Sequence, residues 1–199
     1  MNKPAIEFWY EFASTYSYPA SMRIADLAQV AGVAVQWRPF LLGPVFKAQG
    51  WHTSPFVIYP AKGRYMFRDV ERICESQDLK FKLPPLEPPQ NGLKAARLAL
   101  VGERAGWIAD FSRRVYIANF AEQKDISSDV ILTEILRNIG VEPATAFAAS
   151  NLPENKEGLR KNTEEAIARG IFGAPSFTVG DELFWGNDRL EQAIAWAKK

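Results

Sequence analysis

The stretch GIFGAPSFTVGDELFWG, residues 170–186, joins a proline loop to two short strand-like runs. Residues 177–179 and 183–185 form those runs, and the Gly180-Asp181 pair between them is typical of a tight hairpin turn. The Ala174-Pro175 bond leads directly into the first run. Because only about 5 to 6% of X-Pro bonds in folded proteins are cis, the dipeptide alone gives little indication of that isomer. The pattern predicts an antiparallel hairpin introduced by a proline loop.

Two further strands are predicted near the start of the chain. Residues 6–12 are nearly continuously apolar or aromatic, and residues 33–40 are β-branched and alternating. The amphipathic stretch 18–30 between them has the length of a crossover helix, and such a crossover is right-handed and joins parallel strands. With the C-terminal hairpin, these strands predict a four-stranded sheet in which the turn at Ser14 faces the loop before residue 177.

The centre of the chain has helical periodicity and lacks strand signals. The proline-rich segment KLPPLEPPQNG, residues 82–92, and short polar turns separate the predicted helices. Helices are expected near residues 63–77, 91–104, 107–121, 128–138, 143–150 and 156–169, and a last one near residues 188–198. The predicted element order is therefore βαβ, a helical block, and ββα.

Composition and charge limit the classes of partner. The 199 residues carry 24 Lys and Arg against 23 Asp and Glu, a formal net charge of +1, so the field of the whole chain does not favour nucleic acid or an anionic membrane. Glu7 and Glu11 interrupt the apolar N-terminal stretch, which argues against a signal peptide, and no window approaches the roughly 18 apolar residues of a membrane span. We expect a cytoplasmic protein without nucleic-acid or membrane partners.

The chain has one cysteine and one histidine. Cys74 lies in a helical segment with apolar neighbours on one face, so we expect a buried thiol that packs as a small hydrophobic residue. One Cys and one His do not suffice for a His/Cys metal site, and no metal is predicted.

The turn between the first strand and the first helix, FASTYSYPA at residues 12–20, is rich in hydroxyl groups. The element order, with an X-Pro bond before the third strand, resembles the thioredoxin fold, in which a cis-proline loop faces the N-terminus of the first helix. A helical insertion between the two halves resembles the DsbA-like branch of that fold. Where the oxidoreductases of this branch carry C-x-x-C, this chain has Ser14-Thr15-Tyr16-Ser17, so disulfide chemistry at the turn is excluded.

Within that branch the chain resembles the 2-hydroxychromene-2-carboxylate isomerases and their relatives, the kappa-class glutathione transferases. Four stretches carry the resemblance: FASTYSY, LLGPVFKAQGWHTSPF, PAKGRYMFRDVER and GIFGAPSFTVGDELFWGNDRL. The resemblance implies an α/β, DsbA-like thioredoxin fold with a large all-helical insertion. Residues 1–45 and 170–199 would form the thioredoxin-like domain, and residues 46–169 the helical insertion domain.

The resemblance also implies that glutathione is the cofactor and that Ser14 is the catalytic residue beside its sulfur. A free thiol with a pKa of about 8.5 is only a few per cent ionised at neutral pH. A helix dipole and a hydrogen bond to the charged sulfur together contribute on the order of 2 to 4 kcal/mol, or about 1.5 to 3 pKa units. This is enough to make the bound thiolate the major form.

Two other roles are open for this hydroxyl-rich turn. Ser14 or Ser17 could simply cap the helix. Ser14 could also be a nucleophile with His52 as its base, but the chain has no G-x-S-x-G elbow, and a serine hydrolase needs a third group to orient the base. A hydrolase is therefore disfavoured.

Further glutathione contacts follow from the resemblance. An X-Pro loop exposes backbone groups like a sheet edge, which can pair with the cysteinyl unit as an added strand. The WGND turn offers backbone donors and a carboxylate for the ammonium group, although Asn187 or Asp188 could instead cap the last helix. The expected glutathione-binding residues are Ser14, Lys62, Ala174, Pro175, Trp185, Gly186, Asn187 and Asp188.

Lys47 and His52 are the residues expected to contact the second substrate, where a cation can hold a carboxylate. Solvated surface positions are the alternative for Lys47 and Lys62. His52 and Val57 depart from the pattern of the family, which leaves the identity of the substrate open.

The resemblance implies a glutathione-dependent isomerase that interconverts 2-hydroxychromene-2-carboxylate and trans-o-hydroxybenzylidenepyruvate in aromatic degradation, or acts on a similar ring compound. Its partner would be a small aromatic acid, and a homodimer is expected. One alternative is a kappa-class-like glutathione transferase or peroxidase, which would consume glutathione. Another is a noncatalytic thioredoxin-like binding module.

Overall fold

The computed structural model describes residues 3–82 and 89–199, and its strands form one mixed sheet in the order β2-β1-β3-β4. β1 (Ala5–Tyr10) runs parallel to β2 (Ala34–Pro39) and antiparallel to β3 (Ser176–Val179). β3 forms a hairpin with β4 (Glu182–Trp185). The predicted α/β class and all four predicted strands are confirmed, with ends shifted by one or two residues.

Helices make up most of the rest of the chain. α1 joins β1 to β2, a series of helices connects β2 to β3, and the last helix follows β4. Their bounds are α1 (Ser17–Ala31), α2 (Leu42–Ala48), α3 (Pro55–Ile58), α4 (Pro60–Ser76), α5 (Leu93–Ala105), α6 (Ile108–Tyr116), a π-helix (Ile117–Ala121), α7 (Asp129–Asn138), α8 (Pro143–Asn151), α9 (Pro153–Ala168), a 3₁₀ turn (Asn187–Arg189) and α10 (Leu190–Trp196). Every helix predicted from the sequence is present, with ends within three residues of the prediction.

Two short helices, α2 and α3, were not predicted. Gly43 and Pro44 stand in the first turn of α2 and are typical of loops in a sequence. α3 is a single turn that begins after Ser54, whose Oγ accepts a hydrogen bond of 3.3 Å from the backbone N–H of Phe56. Of the predicted proline-rich connection, residues 83–88 lie outside the described residues.

The turn between β1 and α1 is held by two side chains of the helical block. The hydroxyl of Tyr116 donates to the carbonyl oxygen of Glu11 (2.9 Å), and Nδ2 of Asn119 in the π-helix donates to the carbonyl oxygen of Phe12 (3.0 Å). The rings of Phe12 and Tyr116 pack 5.3 Å apart between their centroids. These contacts fix the hydroxyl-rich turn against the insertion rather than leaving it to solvent.

Cys74 is a free thiol on α4 and is 1% exposed, so the predicted buried role is confirmed. Burial in apolar surroundings raises the pKa of this thiol to about 12. Within residues 3–82 and 89–199, none of the helices combines the length and the apolar content that a bilayer crossing requires.

Candidate active site

A cavity of about 1240 Å³ opens beside the N-terminal end of α1. Its walls come from the β1–α1 turn, from α2 to α4, from the proline loop before β3 and from the turn after β4. Nine of the site residues predicted from the sequence line it: Ser14, His52, Lys62, Ala174, Pro175, Trp185, Gly186, Asn187 and Asp188. Residues that are up to 174 positions apart in the chain thus share one cavity.

Ser14 bridges the mouth of α1 and the proline loop. Its Oγ donates a hydrogen bond of 2.8 Å to the carbonyl oxygen of Ala174 and accepts one of 3.3 Å from the backbone N–H of Ser17, the first residue of α1. The expected approach of this turn to the loop before residue 177 is therefore confirmed. The hydroxyl of Ser14 satisfies one of the free N–H groups at the helix N-terminus. Of the two serines considered as helix caps, Ser14 is therefore the one that caps α1. This hydrogen bond does not exclude a chemical role for the same hydroxyl.

The proline loop presents a free backbone edge to the cavity. The Ala174-Pro175 bond is cis, as the thioredoxin-like arrangement implies. Among the described residues, no acceptor is paired with the N–H of Ala174, and its carbonyl oxygen receives the Ser14 hydroxyl. The carbonyl oxygen of Pro175 accepts from the N–H of Gly186 (3.0 Å), which ties the loop to the turn after β4.

The turn after β4 is built around Gly186. Its φ of +111° lies where side chains with a Cβ are strained, and a Cβ at this position would stand 2.6 Å from Oδ1 of Asp188. The glycine therefore lets the Asp188 carboxylate fold back over the backbone. The neighbouring Asn187 is 6% exposed, and its Oδ1 accepts from Nη2 of Arg23 (3.1 Å), while Arg23 also pairs with Glu191.

We predict that Gly186→Ala lowers the free energy of unfolding by about 1 to 2 kcal/mol, because a positive φ is unfavourable for a residue with a Cβ. The same substitution should displace the Asp188 carboxylate. Urea unfolding of both proteins measures the difference. Gly43→Ala is the control, since the space around Gly43 in α2 is empty within 4 Å and its φ is ordinary. Equal stability of Gly186→Ala and the wild type would contradict the account.

Comparisons with known proteins agree with this geometry. A family model described as the DSBA-like thioredoxin domain matches residues 5–194. The chain belongs to the DsbA-like thioredoxin family. It is 27% identical to a 2-hydroxychromene-2-carboxylate isomerase of Sphingobium xenophagum over 94% of each chain, and 27% identical to glutathione S-transferase kappa 1 of Caenorhabditis elegans, covering 94% of this chain and 88% of the other.

A solved structure of a 2-hydroxychromene-2-carboxylate isomerase superposes on this DsbA-like chain with a TM-score of 0.87 at 22% identity, covering 98% of this chain and 94% of the other. The resemblance expected from the four motif stretches and the DsbA-like thioredoxin fold that it implied are both confirmed.

Two basic side chains of this family member, His52 and Lys62, stand on the wall formed by the segment from α2 to α4. Both are exposed and line the cavity. Nζ of Lys62 lies 5.0 Å from the ring centroid of Tyr59, a cation–π distance. Val57 also lines the cavity and is 52% exposed. A carboxylate that enters from this side therefore meets the ammonium group of Lys62.

The structure does not bring Lys47 into the cavity. Four residues of α2 line the cavity, and Lys47 is not among them: Leu42, Gly43, Pro44 and Phe46. The side chain of Lys47 is exposed. Its contact with a substrate stays a prediction from the resemblance.

Glu11 and Asn119 are among the polar residues of the cavity wall that were missed at the sequence level. Glu11 is 9% exposed, and burial raises the pKa of its carboxyl from 4.5 to about 7. The hydrogen bond from the N–H of Ala13 lowers this pKa, but by less than burial raises it. Asn119 is 1% exposed, and its Oδ1 has no partner among the described residues. An acidic residue within the apolar run 6–12 was the visible signal for Glu11.

Proposed function

We propose that this protein is a glutathione-dependent enzyme, and that its reaction is the isomerisation of 2-hydroxychromene-2-carboxylate or a similar ring compound. The observation that carries the proposal is the placement of Ser14: its hydroxyl stands at the N-terminal end of α1, in hydrogen-bond contact with the exposed edge of a cis-proline loop, inside a large cavity. The names of the relatives, an isomerase and a kappa-class transferase, support it.

The residues present fit a peptide that carries a thiol. The free N–H and the carbonyl oxygen of Ala174 offer one donor and one acceptor, as an open sheet edge does, so the cysteinyl unit can pair there as an added strand. The carboxylate of Asp188 lies on the same cavity wall and can meet an ammonium group, and Lys62 can meet a carboxylate. The cavity wall therefore offers a counter-ion for the ammonium group of the tripeptide and one for a carboxylate.

The hydrogen bond between Ser14 and Ala174 suggests how binding activates the site. A backbone N–H of the bound peptide would take the place of the Ser14 hydroxyl at the carbonyl oxygen of Ala174. The hydroxyl of Ser14 is then free to rotate and donate to a sulfur atom, while its oxygen keeps the hydrogen bond from the N–H of Ser17. Ser14 thus stabilises the ionised form of the thiol.

The cavity has room for a second ligand. Its 1240 Å³ exceeds the roughly 300 to 1,000 Å³ of ordinary ligand pockets. Phe46 and Trp51, whose ring centroids are 5.9 Å apart, line the cavity together with Phe56. A flat aromatic acid can lie against these rings with its carboxylate near His52.

Bound glutathione would supply a sulfur nucleophile that adds reversibly to a conjugated carbon, so that a double bond can rotate and the tripeptide is recovered. The residues of this chain position the two ligands: Ala174 and Asp188 hold the peptide, Ser14 holds the sulfur, and the aromatic wall orients the acid. A homodimer and a cytoplasmic location remain predictions from the resemblance.

The test is an ultraviolet difference titration with glutathione, followed by an assay on the chromene acid. We expect a thiolate absorption band with glutathione and none with S-methylglutathione, which lacks the ionisable thiol. During turnover, the total of free glutathione should stay constant. Loss of glutathione in step with product would favour the transferase or peroxidase alternative, which the kappa-class relative supports. Absence of the band would leave a noncatalytic binding module.

A further inference from the structure

Glu11 is a carboxyl group in the cavity wall that no basic residue among the described residues compensates. It is 9% exposed, and among the described residues its side chain has one hydrogen bond, from the N–H of Ala13 to Oε2 (3.0 Å). In the part of the chain that the structure describes, no Lys, Arg or His contributes to the shift of its pKa. Burying an unpaired charge is costly, so such a group exchanges a proton readily or serves a ligand.

The groups around Glu11 do not neutralise it. From α6 the phenol of Tyr116 faces it, and burial raises the pKa of this phenol, so it stays neutral. The segment 89–92 brings Gly92 so close that a Cβ there would be 2.8 Å from Oε1 of Glu11. The π-helix contributes the amide of Asn119. Within the described residues, these elements place no cation beside the carboxyl group.

Glu11 and Ser14 belong to one tight turn. The N–H of Ser14 donates to the main-chain carbonyl of Glu11 (3.0 Å), and the Glu11 carboxylate binds the N–H of Ala13, the residue directly before Ser14. Both side chains line the same cavity. A proton acceptor and the hydroxyl beside which the proposed function places the sulfur therefore line one cavity.

We propose that Glu11 takes up the thiol proton of glutathione when the tripeptide binds beside Ser14, and returns it when the tripeptide leaves. The inference rests on the proposed function. The S–H bond breaks and its electron pair stays on sulfur, while an O–H bond forms on the Glu11 carboxylate, directly or through one water. The net charge of the site is the same before and after the transfer.

Two electrostatic arguments support this assignment. A thiolate and an ionised Glu11 in the same low-dielectric wall would repel each other, so thiolate formation favours protonation of Glu11. A carboxyl group with a pKa of about 7 is largely ionised just above neutral pH and can accept the proton there. Ser14 then stabilises the sulfur anion, and Glu11 stores the proton that the anion has lost.

The experiment counts the protons released to the buffer on glutathione binding, by calorimetric titration at pH 7.5 in buffers of different ionisation enthalpy. For the wild type we expect about 0.3 protons or fewer per thiolate formed, and for Glu11→Gln about one, because the acceptor is gone. Asp69→Asn is the matched control: Asp69 lines the same cavity but accepts from the hydroxyl of Tyr16 (2.9 Å), so it should release as few protons as the wild type. S-methylglutathione should release none from any of the proteins.

A second measurement needs no variant. Infrared difference spectra of wild-type protein labelled with ¹³C-glutamate should show the carbonyl band of a protonated carboxylic acid when glutathione is added at pH 7.5, and not with S-methylglutathione. A thiolate band without this infrared band, or equal proton release by the wild type and Glu11→Gln, overturns the role of Glu11 and leaves the proposed function standing. Absence of the thiolate band in the wild type overturns the proposed function itself.

Discussion

Replacing Ser14 with alanine is expected to raise the pKa of the bound glutathione thiol by about 1 to 2 units and to lower kcat/KM at pH 7 roughly 10- to 100-fold. A hydrogen bond to a charged group contributes about 1.5 to 3 kcal/mol, and each pKa unit corresponds to about 1.4 kcal/mol. Loss of this hydrogen bond lowers the rate because a smaller fraction of the bound glutathione is ionised. Ultraviolet titration of the band against pH and steady-state kinetics measure the two quantities.

The structure gives this prediction a specific geometry. In the absence of a peptide, the hydroxyl of Ser14 is engaged with the carbonyl oxygen of Ala174 at 2.8 Å. The same carbonyl is the acceptor that an added strand would use, so the peptide and the hydroxyl compete for it. Ser14→Ala removes the competing hydroxyl and leaves the carbonyl oxygen of Ala174 in place, so the peptide can then bind without meeting a competitor. We therefore expect binding of S-methylglutathione to be retained while ionisation of glutathione is impaired.

The control is Ser17→Ala, which removes a buried hydroxyl from the first turn of the same helix at a residue that does not line the cavity. It should keep the thiolate band and the activity. High pH should also restore much of the activity of Ser14→Ala, because the thiol then ionises without help. A variant Ser14→Ala with an unchanged thiol pKa would show that the helix mouth alone ionises the sulfur.

The sheet and the long helices could be predicted because their patterns are local. Residues 6–12 and 33–40 carry strand periodicity in their own sequences, and the helices from α4 to α9 carry helical periodicity. α2 and α3 are different: they span seven and four residues, too few to form without tertiary contacts.

The cavity residues that belong to short recognisable motifs could be predicted from the sequence. Those whose position depends on packing against residues far away in the chain were missed. The hydroxyl-rich turn, the proline loop and the WGND turn are short stretches with recognisable residues. Glu11 was visible as an acid in an apolar run, but its burial depends on Tyr116, which is 105 positions away, and on Gly92. Contacts between residues so far apart leave no periodic pattern in the sequence. The sequence therefore did not distinguish a buried carboxyl group at the cavity from a polar residue at the end of a strand.

The free energy of unfolding of Glu11→Gln relative to that of the wild type is expected to depend on pH. We expect this difference to change by about 3 kcal/mol between pH 4.5 and pH 8. Burial raises the pKa of Glu11 from 4.5 to about 7, and a difference of one unit between the folded and unfolded states is worth about 1.4 kcal/mol. Because the folded pKa is the higher one, the contribution of Glu11 is fully present below about pH 4.5 and is lost as the pH rises through about 7. The glutamine variant therefore gains stability relative to the wild type as the pH rises. Urea unfolding at a series of pH values, without glutathione, measures this difference.

Glu142→Gln provides a control of opposite sign. Glu142 precedes α8 and accepts a hydrogen bond of 2.7 Å from the N–H of Thr145, so the backbone N–H groups of the first helical turn lower the pKa of its exposed carboxyl. Its contribution is present at neutral pH and is lost as the pH falls through the lowered pKa, so the disadvantage of Glu142→Gln should shrink in acid. A pH-independent difference between the wild type and Glu11→Gln, beside this expected trend for Glu142→Gln, would mean that Glu11 is ionised at its ordinary pKa. In that case a compensating charge or open solvent must reach the carboxyl group, and its burial against Gly92 would not be the state in solution.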